Sequence, residues 1–235
     1  MSYIEKLFNL KDKVIFTEKP LFDHFQAMEI KNNKVFVGYV LRFHPLIQKI
    51  KEIIKNEDIY FVEVNCNSYL PNWRNNIDYK DSYSSHKNRG GGVLLDLSHE
   101  LDYIMWLFGE LKVDHSFQSK ISELEIDSDD INIINGKLVN DIKINITLGY
   151  FSKISRRDIF IHSKNKTIKI DLINNNVETV DISGSKEQYE IDNLERNFMF
   201  KAMHNDILND KEFACTFEEG METMKVINTI QEQNV

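Results

Sequence analysis

Cysteine is scarce in this sequence, and its two occurrences stand far apart. Cys66 and Cys215 form no closely spaced pair among the 235 residues. Disulfide-stapled domains and thiolate zinc sites both need several cysteines at short, regular spacings. The two cysteines therefore fit a reducing compartment better than a disulfide framework or a thiolate zinc site, so we expect a cytoplasmic protein.

Positive charge and long apolar runs are also in short supply. The chain has 29 lysines and arginines against 37 acidic residues, a formal net charge of -8. Binding to nucleic acid or to an anionic membrane starts from an excess of positive charge on one face, and a membrane-spanning helix needs about 18 apolar residues in a row. Because neither feature is present, the sequence predicts no nucleic-acid partner and no membrane partner.

Histidines that could bind a metal lack suitable neighbours. His44, His86 and His99 have no Cys, Asp or Glu partners at the spacings that metal sites use. We therefore predict no catalytic metal.

The first 43 residues show a pattern of alternating helices and strands. An amphipathic helix at Ser2–Leu10 leads into an apolar strand at Val14–Phe16, and a helix at Leu21–Ile30 leads into a strand at Val35–Leu41. A doubly wound nucleotide-binding domain needs several such units, with a glycine-rich phosphate-binding turn after the first strand. Only thirteen residues precede the first strand here, and they contain no such turn. Residues 1–43 are therefore predicted to be the tail of a Rossmann-type nucleotide-binding domain.

A second domain is predicted from residue 44 to residue 235. Strand patterns between Val113 and Leu172 follow one another without helical periodicity between them, which indicates a largely antiparallel sheet. The predicted fold class is α+β: a Rossmann remnant followed by a predominantly antiparallel open sheet with helices on one face. The predicted helices are Leu46–Lys55, Val93–Phe108, Asn193–Leu208 and Glu218–Gln231, and the predicted strands are Ile59–Cys66, Val113–Gln118, Asp130–Ile134, Ile142–Tyr150, Asp158–His162 and Thr167–Leu172.

Alternation within one strand bears on assembly. Ile142, Ile144, Ile146 and Leu148 form an apolar row, and Asn145 and Thr147 fall on the opposite side. Helices on one face would leave the other face to be buried by a second subunit. We therefore expect a substrate-binding and oligomerisation domain that forms a homodimer or homotetramer.

The helix predicted from Val93 carries polar side chains on one side. At about 100° per residue, Asp96, His99 and Tyr103 fall opposite the apolar residues, away from the core. A carboxylate one turn from an imidazole can raise its basicity, which suits a histidine that takes a proton from a hydroxyl. An ordinary solvated helix face is the alternative interpretation.

Gly90, Gly91 and Gly92 precede this helix. We interpret them structurally, because glycines let the preceding polar loop turn sharply into the helix. An anion bound by free backbone N–H groups is the alternative.

Lys19 follows the strand Val14–Phe16 and precedes Pro20. Open α/β sheets bind ligands at the carboxyl ends of their strands. The sequence thus predicts that the ammonium group of Lys19 points into a cleft, and an ordinary surface lysine is the alternative.

Two segments together carry a resemblance to a known family. The tripeptide Glu18-Lys19-Pro20 and the run Asn88–Glu110 resemble the Gfo/Idh/MocA oxidoreductases, nicotinamide-dependent enzymes that act on sugars and cyclitols. The resemblance extends from about Val14 to the end of the chain. It implies a catalytic lysine at position 19, which stabilises developing alkoxide charge, with Asp96 and His99 completing the catalytic set. One departure is that Asp96 and His99 stand three residues apart, whereas many family members have four.

The resemblance also implies a cofactor, a substrate class and binding residues. The cofactor is expected to be NAD or NADP, and the substrate a sugar, nucleotide sugar or cyclitol. The loop at 69–79 is similar to that of a subgroup linked with nucleotide sugars, and its aromatic faces and guanidinium suit a charged sugar. The expected cofactor-binding residues are Glu18, Lys19, Pro20, Trp73 and Arg74, and the expected substrate-binding residues are Arg42, Tyr69, Tyr79 and Tyr103.

Three functional hypotheses follow. The chain is a remnant of a larger NAD(P)-dependent sugar dehydrogenase, a degenerate non-catalytic module that binds sugars and assembles, or the partner of a separate chain that supplies the nucleotide half. Without a glycine turn for the pyrophosphate, we expect the chain alone to bind NAD or NADP weakly or not at all.

Overall fold

A small three-stranded sheet holds the first part of the chain. The computed structural model describes residues 10–234, and the predicted helix Ser2–Leu10 lies, except for its last residue, outside the described residues. Strand β1 (Val14–Thr17) pairs in parallel with β2 (Lys34–Val37), and β11 (Cys215–Thr216) pairs antiparallel with β2. The C-terminal part of the chain therefore completes this sheet, and the domain boundary at residue 43 stays a prediction.

The connection between β1 and β2 differs from expectation. No helix forms at Leu21–Ile30, where the backbone is irregular. Leu21 and Phe22 are both buried in the main core, and Phe25 packs against it. The prediction of a helix was wrong because Phe, Asp and His have weak helix propensity, and burial of individual apolar side chains decides the path of this segment.

An eight-stranded sheet forms the main body. Its order is β10-β9-β8-β7-β3-β6-β5-β4, and only the β3 and β6 pair is parallel. The predicted α+β class with a predominantly antiparallel open sheet is confirmed. Its strands are β3 (Ile59–Tyr69), β4 (Lys112–Ser119), β5 (Ile131–Lys137), β6 (Lys143–Gly149), β7 (Phe151–Ser163), β8 (Lys166–Asp171), β9 (Asn176–Asp181) and β10 (Lys186–Glu190).

Most of the helices bury apolar residues in the core that they share with this sheet. The helix Phe198–Leu208 instead packs in a second, smaller core against Phe36, Val40 and Phe43. The last helix begins with a capping box, in which Thr216 and Glu219 each satisfy the other's backbone N–H. Across residues 10–234, no helix combines the length and the apolarity that crossing a membrane requires. The helices are α1 (Pro45–Ile53), α2 (Val93–Asp96), α3 (His99–Phe108), α4 (Phe198–Leu208) and α5 (Phe217–Gln233).

The apolar row of β6 belongs to the main core. Ile144, Ile146 and Leu148 are buried there, and Asn145 and Thr147 stay partly exposed on the opposite face. The chain itself therefore covers the apolar row, and the other face of the sheet is mixed in polarity. The apolar row of β6 is therefore not an exposed surface that a second subunit would have to bury.

His44 caps α1 and stays neutral inside the fold. Its Nδ1 accepts a hydrogen bond from the backbone N–H of Leu46 at 3.2 Å, and its Nε2 lies 3.2 Å from Oδ1 of Asn175. Burial lowers the pKa of His44 to about 4, and the nearby Arg157 charge acts in the same direction. The same histidine in the unfolded chain takes up a proton near pH 6.5. Between pH 6.5 and pH 4, the unfolded chain therefore binds a proton at this residue that the folded protein does not bind.

We expect His44→Asn to remove part of the acid sensitivity of the protein. The depressed pKa stabilises the fold fully above pH 6.5, and this stabilisation is lost as the pH falls towards 4. Relative to His44→Asn, which keeps a capping oxygen, the wild type should lose about 3 kcal/mol across this range. Urea denaturation of both proteins at several pH values measures the difference, and a constant difference would contradict the assignment.

Candidate active site

The glycine turn before α2 is tightly packed. A Cβ atom at Gly91 would lie 2.2 Å from the backbone oxygen of Tyr83, and Gly92 has a φ of 126°. The Asp129 carboxylate accepts a hydrogen bond from the backbone N–H of Leu94 at 3.1 Å and so fixes the start of α2. These contacts agree with the structural interpretation of the glycines.

The predicted helix Val93–Phe108 is broken in two. Helix α2 ends at Asp96 and α3 begins at His99, with Leu97 at φ -97° and ψ 19° between them. Asp96 and Tyr103 are buried and His99 is half-buried, so the prediction that this side faces away from the core was wrong. Periodicity alone predicted the wrong burial because both sides of the segment are covered. The sheet covers one side, and Tyr39, whose ring contacts that of His99, covers the other.

Lys19 reaches the start of α3 from the carboxyl end of β1. It lines a cavity of about 420 Å³ together with Asp96, His99 and Trp73. Its Nζ donates a hydrogen bond to the backbone oxygen of Asp96 at 2.6 Å. Burial lowers the pKa of Lys19, while the Asp96 carboxylate acts in the opposite direction. The predicted catalytic residues therefore meet in one cavity.

The side chains of Asp96 and His99 have different surroundings. Oδ2 of Asp96 accepts a hydrogen bond from the hydroxyl of Tyr150 at 2.6 Å. Burial and the charges of Lys19 and Arg157 lower the pKa of His99 well below its usual value, so the imidazole is neutral at pH 7. Its Nδ1 is buried and finds no hydrogen-bond partner within residues 10–234.

Several cavity residues were missed from the sequence. Arg157 is the most informative of them, because it shares a sheet face with Ile159 and Ile161 in β7. A charged residue in an otherwise buried apolar row marks a site where a charge is needed, and this alternation could have been read from the sequence. The other missed residues are Cys66, Asn67, Ser68, Tyr83, Leu97, Ser155, Arg156 and Ile173.

Two predicted substrate-binding residues are engaged elsewhere. Tyr103 is fully buried, and its hydroxyl donates to Oε2 of Glu100 at 2.6 Å. Arg42 is buried against Asp102 and Glu219 and lines a different cavity, of about 650 Å³, between α3 and α5. Ion pairing and burial, rather than ligand contact, account for the positions of both side chains.

Of the predicted loop residues, Trp73 lines the cavity of about 420 Å³, whereas Tyr69, Arg74 and Tyr79 do not. Arg74 stacks on Tyr83 at 5.2 Å, and the hydroxyl of Tyr79 accepts the backbone N–H of Glu125 at 3.2 Å. The ring of Tyr69 lies 4.1 Å from Nζ of Lys153. Of the expected cofactor-binding residues, Glu18 is exposed and Pro20 is half-buried.

This arrangement suits proton transfer to or from a bound hydroxyl group. The cavity brings a cationic donor at Lys19 next to a neutral imidazole at His99. His99 can accept the proton of the hydroxyl group, and Lys19 can stabilise the negative charge that develops on its oxygen. In the part of the chain that the structure describes, no group of three or more His, Cys, Asp or Glu residues is placed to hold a metal ion.

Comparison with known proteins identifies related sequences and folds. Residues 51–234 match the family described as "Oxidoreductase family, C-terminal alpha/beta domain", the C-terminal domain of Gfo/Idh/MocA proteins. The comparison with curated proteins found no match.

Three solved structures have a similar fold. UDP-N-acetylglucosamine 3-dehydrogenase from Acidithiobacillus ferrooxidans has a TM-score of 0.65 at 18% identity, over 84% of this chain and 60% of that chain. A super-repressor mutant of Gal80p from Saccharomyces cerevisiae has a TM-score of 0.78 at 14% identity, over 96% of this chain and 70% of that chain. Levoglucosan dehydrogenase has a TM-score of 0.74 at 14% identity, over 94% of this chain and 72% of that chain. At these identities the likeness concerns the fold, and the chain spans 60% of the length of the first of these proteins.

Proposed function

The chain belongs to the Gfo/Idh/MocA oxidoreductase family, and from this membership we propose that it oxidises or reduces a sugar, nucleotide sugar or cyclitol with NAD or NADP. The observation that carries the proposal is the convergence of Lys19, Asp96 and His99 on one cavity. Its volume of about 420 Å³ lies within the range of small-molecule sites.

The residues of the chain would act on the reacting hydroxyl. Lys19 would donate a hydrogen bond to its oxygen, and neutral His99 would accept its proton. Tyr150 holds the carboxylate of Asp96 in place beside them. A nicotinamide, when bound, supplies the acceptor for the hydride that leaves the carbon bearing this hydroxyl group.

The residues fit one end of this cofactor. Lys19 and Trp73 line the cavity and would contact the nicotinamide. His99 lines the same cavity, and its buried Nδ1 has no hydrogen-bond partner among residues 10–234. For the pyrophosphate, residues 10–234 contain no Gly-x-Gly-x-x-Gly turn that links a strand to a helix. We therefore expect weak cofactor binding by this chain.

Calorimetric titration with glucose, UDP-glucose and myo-inositol, followed by assays of nicotinamide reduction, tests the proposal. We expect binding of at least one of these ligands, and slow reduction whose rate rises with millimolar NAD or NADP without saturating. Saturation of the rate at micromolar cofactor would contradict the expected weak binding. Failure of all three ligands to bind would contradict the proposed function.

A non-catalytic sugar-binding module is the second candidate. One of the similar folds is that of Gal80p, and the Kluyveromyces protein of that name is described as a transcriptional regulator. The same titrations distinguish the two candidates, because a binding module would bind the sugar and leave the nicotinamide unreduced at every cofactor concentration.

We also propose a cytoplasmic homodimer or homotetramer. Phe117 and Phe160 lie on the sheet face of Asn145 and Thr147, and Phe117 is 48% exposed. A second copy of the chain could cover these aromatic side chains by a two-fold contact. Light scattering at low micromolar concentration should give two or four subunits, and a monodisperse monomer would contradict this proposal.

A further inference from the structure

Arg157 enters the cavity from β7 with one edge of its guanidinium held in place. Its Nε donates to Oε1 of Glu100 at 3.0 Å, and its Nη2 bonds to the same oxygen. The carboxylate of Glu100 is fully buried, and its other oxygen accepts the hydroxyl of Tyr103 at 2.6 Å. Glu100 thus has partners on both oxygens and fixes the orientation of Arg157.

The other edge of the guanidinium is free. In the described part of the chain, Nη1 of Arg157 has no hydrogen-bond partner, and the side chain is 26% exposed. Arg157 lines the cavity together with Lys19 and His99. Its charge lowers the pKa of both of these residues, which agrees with a position close to them.

The walls of the cavity carry more positive than negative charge. Lys19, Arg156 and Arg157 line it, and Asp96 is the acidic residue among the described lining residues. Glu100 and Asp158, the ion-pair partners of the two arginines, do not line it. A neutral ligand would leave the free guanidinium edge without a partner of opposite charge.

From this geometry we propose that Arg157 is a specificity residue that binds a carboxylate or phosphate group on the sugar substrate. The inference rests on the proposed function, because it assigns a substrate class to the same cavity. Guanidinium groups recognise both kinds of anion through paired N–H donors, and an orientation fixed in advance favours such binding.

Calorimetry with glucose, glucuronate and glucose 6-phosphate tests the inference without cofactor. We expect glucuronate or glucose 6-phosphate to bind about 10- to 100-fold more tightly than glucose, as charge-assisted hydrogen bonds do. The tighter of the two identifies the anionic group. Equal affinities for all three would overturn the inference and leave the proposed function standing, whereas no binding of any of them would count against the proposed function.

Variants then assign the preference to Arg157. Arg157→Lys keeps the charge and loses the paired donors, so affinity for the acidic sugar should fall about tenfold or more while affinity for glucose stays the same. The double variant Glu100→Gln/Arg157→Gln removes both charges, leaves neither unpaired in the interior, and should abolish the preference. Arg196→Lys, at an exposed arginine away from the cavity, is the matched control. A preference that persists in the folded double variant would assign the anion to another residue and refute the proposal.

Discussion

Asp102→Ala should lower the free energy of unfolding by about 3–5 kcal/mol. The guanidinium of Arg42 is 3% exposed and donates to Asp102 through Nη2 at 2.7 Å and through Nε at 3.0 Å. Without this carboxylate, the remaining acidic partner of Arg42 among the described residues is Glu219, which is 44% exposed. A buried cation that loses its main partner is costly because water cannot replace the lost bonds. Urea denaturation followed by circular dichroism measures the effect.

Two further variants make this result specific. Arg42→Met/Asp102→Leu removes both charges and should recover most of the lost stability, since apolar side chains can replace a buried ion pair. Glu222→Ala breaks an ion pair with Lys225 that is 2.6 Å long but exposed, and it should cost less than about 1 kcal/mol. If Asp102→Ala cost no more than Glu222→Ala, the ion pair of Arg42 would have no special role in stability.

This ion pair also explains why Arg42 is not in the candidate site. The residue follows β2 in a buried 3-10 turn and ties that turn to α3, through Asp102, and to α5, through Glu219. Helix α3 begins with His99. Arg42 therefore contributes to the position of the site by holding α3, and a ligand contact is not needed to account for it.

The sequence predicted most accurately those strands whose alternating apolar side chains all enter a single core. The strand around Ile144 and Ile146 is an example, because each apolar side chain enters the same core and each intervening residue stays partly exposed. Strand β10 was missed because all five of its residues are exposed and it has no apolar alternation. The segment Leu21–Ile30 was predicted wrongly because long-range burial, which a local pattern does not contain, decides its path.

The candidate site was predictable where residues adjoin a recognisable motif. The resemblance singled out Lys19, Asp96 and His99, and these three residues line one cavity. Their catalytic role stays a prediction. The motif did not indicate Arg157 or Tyr150, because they come from β7 and from the residue between β6 and β7, far along the chain. The alternation of β7 marks Arg157 but does not show which site it joins. Sheet pairing brings β7 beside β3, and a sequence does not state this pairing directly.

Lys19→Met and His99→Ala should each reduce the rate of sugar oxidation by about 10²- to 10⁴-fold, the usual cost of losing a positioned acid or base. Lys19→Met keeps the aliphatic stem and removes the charge that would stabilise the developing oxyanion. His99→Ala removes the neutral imidazole that would accept the proton. The measurement is the rate of nicotinamide reduction at a fixed millimolar cofactor concentration, where the wild-type rate is defined.

Sugar affinity separates a chemical role from a structural one. Both variants should bind the sugar within a few-fold of the wild type, because the side chains that would position the rest of the ring, among them Trp73, are retained. Lys201→Ala and His24→Ala change an exposed lysine and an exposed histidine outside the cavity and should leave both rate and affinity unaltered. A variant that folds, binds sugar and reacts at the wild-type rate would remove its residue from the catalytic set. If Lys19→Met did so while His99→Ala did not, proton transfer would rest on the histidine alone, and the lysine would only fix the backbone of Asp96 through its bond to that oxygen.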